Sequence, residues 1–318
     1  MPKQAYDQTA QKTGRQVKAR PVMQKEEMKL ISPKIKSTGC SPDGRHWVPT
    51  SFRNLLVELD YAAAACEGAD PATFFRGQSN YEWPLDSSFV RFAISRLFGI
   101  SDYQALSKSI RQSKEFHRTI SSLLLLKFGT LSKPSEEAVT AEKHHNIDPW
   151  YEFLKNLQQY PEKDSFIKGT FLIDWTGKRE IALYFATYDG KGSTREITNT
   201  HGAVWVLDAV ATGKTWQTNK LGELLHLMAS SEHFNAEKTF PLIYHPRNQT
   251  HQPRAMNQMP VYVAQMDYRY DLADLWAAYE NQEKKRLFIT VIMTEKLKTD
   301  SARYLEKKGI AEALVYPE

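Results

Sequence analysis

Apolar positions along the chain switch between two spacings, and the switches mark out its elements. "SFRNLLVELDYAAAACEG" sets Phe52, Leu55, Leu56 and Leu59 at three- and four-residue intervals, predicting a helix opened by Ser51 and stopped at Gly68. "ATFFRGQ" follows as a short strand ending at Gly77, and "DYQALSKSIRQSKEFHRTISSLLLLKFGTL" reads as one long helix stopping near Gly129. "GTFLIDWT" predicts a strand, "REIALYFATYD" a helix packed through Ile181, Leu183, Tyr184 and Phe185, and "GAVWVLDA" an almost wholly apolar strand. "NKLGELLHLMASSEHF" reads as a helix, and "FPLIYHP" and "MPVYVAQM" as strands. The chain then closes on helix "YDLADLWAAYENQEKKR", strand "LFITVIMT", helix "EKLKTDSARYLEKKG" and strand "EALVYP". Helices and strands mix without regular βαβ units. The pattern predicts a single α+β domain on a twisted mixed sheet flanked by helices, rather than a doubly wound fold.

Two stretches lack this periodicity. Residues 1–47 contain Pro21, Pro33 and Pro42 and form an arm ahead of a domain over 48–318. Residues 130–165 are polar, carry Pro134, Pro149 and Pro161 around a short helical piece, "WYEFLKNLQQY", and read as a loop or lid insertion.

Composition adds that a chain of 318 residues, 41% hydrophobic and 12% aromatic, can bury one large core or two modest ones. Its net charge of +5 is uneven: residues 1–50 hold ten Lys or Arg against four acids, so the basicity lives in the arm. Such an arm can meet phosphate, fold on a partner, or remain a solvated tail. Cys40 and Cys66 build neither a disulfide framework nor a four-cysteine zinc site. With no apolar run of about eighteen residues and no apolar leader, the expected setting is cytoplasmic and away from membranes. Adjacent His144 and His145 lack the partners of a zinc site, so no metal is expected. The Gly-rich phosphate loop, the Gly-x-Ser-x-Gly elbow and the His-Glu-x-x-His pattern are all missing, which counts against P-loop enzymes, ordinary serine hydrolases and zinc proteases.

The chemistry on offer gathers at strand ends. In "FFRGQSNYEWPLDSSFVR", Arg76 ends a strand, and Gly77 directly after it would let a ligand approach the backbone. Its guanidinium can hold a phosphate or ribose through paired hydrogen bonds, with Gln78 beside it and Arg91 further on. A second strand ends in Asp174, Trp175 and Thr176 and leads into a helix whose first amides favour anions. A later strand offers Arg254 and Gln258. Each has a structural alternative. Arg76 could pair with Asp86 or Asp174, Arg91 could cap an acid, and Trp83, Trp175, Tyr184 and Phe185 could simply be core.

These segments resemble the FRG domain family, named for a Phe-Arg-Gly strand. Phe75, Arg76, Gly77 and Gln78, then Trp83, Leu85, Ser87, Ser88 and Arg91, are similar to its signature. "LIDWTGKREIALYFA", "GAVWVLD", "RAMNQMPV" and "LEKKGIAEALVYPE" resemble its later segments, in order, over residues 48–318. The family's Gln-His-x-Gly-x-Pro-Thr run is not found directly before Asp174; "KHHNIDP" is the nearest candidate and makes His144 the family histidine.

The order of arginine, polar strand-to-helix corner and later Gln further resembles ADP-ribosyltransferases of the Arg-Ser-Glu class. That resemblance implies NAD as substrate. Arg76, Asp174, Thr176 and Gln258 would then be catalytic, and Arg76, Gly77, Gln78, Arg91, His144, Trp175, Tyr184 and Arg254 would bind the dinucleotide. Gln258 stands where that class has Glu and cannot carry its negative charge, so Asp174 or another acid must supply it. The resemblance implies an effector acting on nucleic acid (RNA or DNA) or on a target protein, as a toxin of a toxin–antitoxin or anti-phage system, with an antitoxin or chaperone as partner. The alternative is a non-catalytic module that binds nucleotide, RNA or protein.

Overall fold

The computed structural model describes residues 46–64, 73–100, 102, 105–130, 168–190, 195–208, 242–244, 253–283 and 287–317. Seven strands form one sheet: β1 (His46–Trp47), β2 (Thr73–Gln78), β3 (Leu172–Thr176), β6 (Gly202–Asp208), β7 (Leu242–Tyr244), β8 (Pro260–Ala264) and β9 (Phe288–Met293). Their order is β1-β9-β6-β2-β3-β8-β7. Only β1 and β9 run parallel, so the sheet is mixed, as the α+β reading requires. Strands β4 (Tyr188–Asp189) and β5 (Glu196–Ile197) pair separately. The helices are α1 (Phe52–Ala64), α2 (Ser88–Phe98), α3 (Lys108–Arg111), α4 (Lys114–Thr130), α5 (Arg179–Thr187), α6 (Pro253–Gln258), α7 (Leu272–Glu283), α8 (Glu295–Lys307) and α9 (Glu312–Val315). His46 and Trp47, which the sequence pattern assigns to the arm, form the edge strand β1; residues 1–45 and 131–167 lie outside the described residues.

Strand alternation sorts the core onto two faces. On one, Ile173 and Trp175 of β3, Trp205 of β6 and Val261 and Val263 of β8 bury against Leu272 and Trp276 of α7. On the other lie two separate apolar packets. Phe75, Val204, Val206 and Val291 pack under α1, α5 and α8, while Leu172, Tyr262 and Ala264 pack under α2 and α4. Asp174 and Thr176 point to this second face and belong to neither packet, so a gap opens over the end of β3.

Helix α5 sits unusually close to the sheet. A Cβ at Gly77 would lie 1.8 Å from the Ala182 carbonyl oxygen, and one at Gly202 would lie 2.3 Å from that of Ala186. Ala182 and Ala186, one turn apart, thus seat the helix backbone directly on β2 and β6. The sequence reading of Gly77 as room for a ligand is corrected here: that room is filled by α5.

Three further expectations change. The predicted long helix over residues 102–131 breaks before Lys114, because the Ser113 hydroxyl accepts from the Phe116 amide 3.1 Å away and starts α4 afresh. Helix α2 was not singled out by periodicity, although Ser87 caps its start and Gly99 (φ 64°) ends it. "EALVYP" is not a strand but the short helix α9, and Gln258 ends helix α6 instead of lying on a strand.

At the base of α2 and α7, buried Asp86 accepts from Arg111 (2.5 Å) and Gln265 (2.7 Å), while Asp271 accepts the Asp274 amide (2.8 Å) and opens α7. Burial, then the nearby charges of Asp86 and Asp274, push Asp271 up to about 7. A carboxyl that holds its proton more tightly when folded contributes stability fully below its unfolded pKa of 3.8, and loses it as pH rises through about 7. Asp271→Asn keeps the cap and stays neutral. Its Tm at pH 8 is expected to exceed the parent's by roughly 4 °C, the effect of about 1–2 kcal/mol in a chain of this size, and the difference closes by pH 4. Thermal melts across that range check it; a constant difference would refute the assignment.

Candidate functional site

The gap over β3 is a cleft of about 290 Å³. Its floor is β2 and β3 through Phe75, Arg76, Asp174 and Thr176; its walls are Ile181 and Phe185 of α5, Arg254 and Gln258 of α6, and Tyr316 beyond α9. Arg76 holds its place because β2 and β3 share a single register pair, Phe75 with Thr176. Where the ladder stops, Arg76 Nη1 donates to the Asp174 backbone carbonyl at 2.5 Å, bridging the parted strands at the border of the cleft.

Asp174 has the one exposed side chain on β3, open to the cleft yet enclosed by protein. That enclosure raises its pKa above the ordinary carboxylate value, and the charges of Arg76, Arg254 and Arg91 oppose the rise. Arg254 lies with its guanidinium carbon 4.8 Å from the centre of the Tyr316 ring, and its Nε is buried with no hydrogen-bond partner among the described residues. Phe185 meets Tyr316 edge to face at 6.1 Å. Burial, against the pull of Arg254, pushes the Tyr316 phenol up to about 12, so it stays protonated.

The end of β3 is stitched to α6. The Thr176 hydroxyl donates to the Gln258 backbone carbonyl and accepts from the Lys178 amide (2.9 Å), and Gly177 N–H donates to the Met259 carbonyl (3.1 Å). Met259, at φ 44° and directly before Pro260, makes the turn into β8. Among the described residues it is the only non-glycine with positive φ. Gln258 Nε2 donates to the Val315 carbonyl at 2.6 Å.

Of the residues picked from sequence, Arg76, Gly77, Asp174, Trp175, Thr176, Arg254 and Gln258 all border this cleft. Trp175 does so from the core: it is 2% exposed and packs on Trp276 at 5.7 Å. Gln78 is drawn elsewhere, its side chain accepting from Trp205 Nε1 and donating to the Trp83 carbonyl (3.4 Å). Tyr184 is buried against α8 and takes a hydrogen bond from Arg195 (3.3 Å). Arg91 reaches Asp174 through its charge alone, from α2. Asp86, a considered partner for Arg76, pairs with Arg111. His144 lies outside the described residues. Sequence reasoning overlooked Tyr316; Phe185, read as core, packs against the core and also lines the cleft. Nothing local marks Tyr316, since it meets α5 and α6 only on folding.

A mixed-sheet α+β domain with a cleft over strands β2, β3 and β8 and helices α5 and α6 is the class that fold and site define. Residues 71–195, from just before β2 through α5, match the FRG domain model, and the chain carries an FRG domain there. No curated protein and no solved structure shows a significant match. The match takes in β2, β3 and α5 but not Arg254, Gln258, Pro260 or Tyr316, so the opposite wall of the cleft lies beyond it. Among the described residues, no helix is long and apolar enough to cross a membrane, and no group of three His, Cys, Asp or Glu is arranged for a metal.

Proposed function

We propose that the cleft binds NAD through its phosphates and that the protein is an ADP-ribosyltransferase acting on nucleic acid, RNA first, or on protein. The observation that carries the reading is the meeting of Arg76, Arg254 and the Asp174 carboxylate in one cleft. Guanidinium groups bind phosphate oxygens in pairs, and two of them from different elements suit a diphosphate. Tyr316 and Phe185 offer apolar walls to a ring. Ligand pockets run from roughly 300 to 1,000 Å³, so a cleft of about 290 Å³ suits one half of a dinucleotide, with the other half over its open side.

In the reaction, the bond between ribose C1′ and the nicotinamide nitrogen breaks, and nicotinamide leaves with the electron pair. Positive charge develops on the ribose, and an ionised Asp174 stabilises it. An acceptor oxygen or nitrogen then bonds to C1′, and its proton passes to Asp174 or to water. Asp174 thereby supplies the charge that Gln258 lacks. The basic arm suits a nucleic-acid acceptor. Such an enzyme would serve as a toxin in a toxin–antitoxin or anti-phage system, held in check by an antitoxin or chaperone.

The test incubates purified protein with adenine-labelled NAD and total RNA, DNA or lysate protein. Label is expected in one acceptor fraction, with a loss of at least about 10²-fold in Arg76→Ala. If folded protein labels nothing, the second reading takes over: a module that binds nucleotide without turning it over. One observation favours that alternative, because protein contacts already take the Thr176 hydroxyl and the Gln258 amide.

A further inference from the structure

We infer that Asn257 and Gln258 are positioning residues which clamp α9, and that this clamp makes Tyr316 the specificity-determining wall of the cleft. At the end of α6, the Asn257 amide donates to the Leu314 carbonyl (2.9 Å) and the Gln258 amide to the Val315 carbonyl (2.6 Å). These are the last carbonyls of α9, which a helix leaves without partners of its own. Four residues are far too few for a helix to stand unaided, so α9 depends on what holds it. Val315 is fully buried, and Glu312 pairs with Arg195 at 3.8 Å, a partly exposed contact of small worth. The two carboxamides are directional contacts that fix the end of the helix, and Tyr316 follows directly after it, over Arg254.

This arrangement accounts for glutamine at position 258. The contact needs an N–H donor. A carboxylate of the same shape has none and would set negative charge against a carbonyl oxygen. Gln258 is thus a donor to the chain, not a blunted glutamate. Its half of the cleft lies outside residues 71–195, and there Arg254 and Tyr316 build the wall that a ligand over β2 and β3 would meet. The aromatic face and adjoining cation suit a ring carrying phosphate; that identity alone rests on the nucleotide reading above.

Two measurements separate the clamp from the ligand. Amide hydrogen exchange of residues 312–317 in the free protein is expected to speed up about five- to tenfold in Gln258→Glu and in Asn257→Ala, the effect of one lost hydrogen bond, with peptides of β2, β3 and β8 unchanged. With ADP-ribose as probe, Gln258→Glu and Tyr316→Ala weaken binding alike, by about tenfold. Their double variant is no weaker than Tyr316→Ala, because both act through one wall. Tyr316→Phe restores binding. Unchanged exchange over 312–317, additive losses, or a gain of transfer activity in Gln258→Glu would overturn the proposal. Failure of the parent protein to bind ADP-ribose, with the exchange result as expected, would refute the nucleotide reading and leave the clamp standing.

Discussion

Asp174→Asn is expected to slow NAD-dependent transfer by about 10²- to 10⁴-fold while ADP-ribose binding stays within a few-fold, the mark of a group that acts on the reacting centre. Asparagine fits the same space, and the strand pairing of position 174 with Tyr262 uses only backbone. The pH profile carries the sharper test. Enclosure raises the Asp174 pKa, and the carboxylate must be ionised to work. Activity should therefore be lost as pH falls through a value above the ordinary carboxylate range, and this acid limb should vanish in the variant. Arg254 lowers that pKa, so Arg254→Met moves the limb further up. Initial rates of nicotinamide release across the pH range decide it, and a variant as fast as its parent removes Asp174 from the chemistry.

Gly77→Ala is expected to destabilise the domain by about 3 kcal/mol or more, a fall of roughly 6–12 °C in Tm, or to prevent folding altogether. The added methyl would meet the Ala182 carbonyl oxygen at 1.8 Å and the Ala186 nitrogen at 2.6 Å, both helix backbone, which has no rotamer by which to yield. Gly177→Ala is the control: its methyl would meet only the end of Met259, at 3.7 Å, so stability should stay within about 0.5 kcal/mol. Thermal melts of the three proteins check this, and an unchanged Tm for Gly77→Ala would mean that α5 does not rest on β2 as described.

Much of this architecture was legible from local pattern. β3, α5, β6, β8, β9 and α8 lie where the apolar pattern put them, because a helix with one buried face repeats its apolar residues every 3.6 positions and a strand buried on both faces reads as a short continuous apolar run. Failures came where a polar contact outranked periodicity. Ser113 divides a continuous helical pattern with one hydroxyl. Glu312–Val315 has the composition of a strand but is wound into a helix whose end two amides hold.

The site divides in the same way. The sequence by itself marked Arg76, Asp174 and Thr176 as polar residues on two strands, and determined that Gln258 could not act as an acid, because residue type carries that information; that the two strands lie side by side came from the sheet. The sequence could not determine what Gly77 is for, since the atoms that need its missing side chain belong to a helix more than a hundred residues further along the chain. Only the tertiary structure decided that Gln78 turns into the core, that Gln258 serves α9, and that Tyr316 closes the cleft over Arg254. Each of these depends on which distant group comes to lie beside a side chain, the Trp205 indole for Gln78, the Val315 carbonyl for Gln258 and the Tyr316 ring for Arg254, and that is set by packing, not by spacing along the chain.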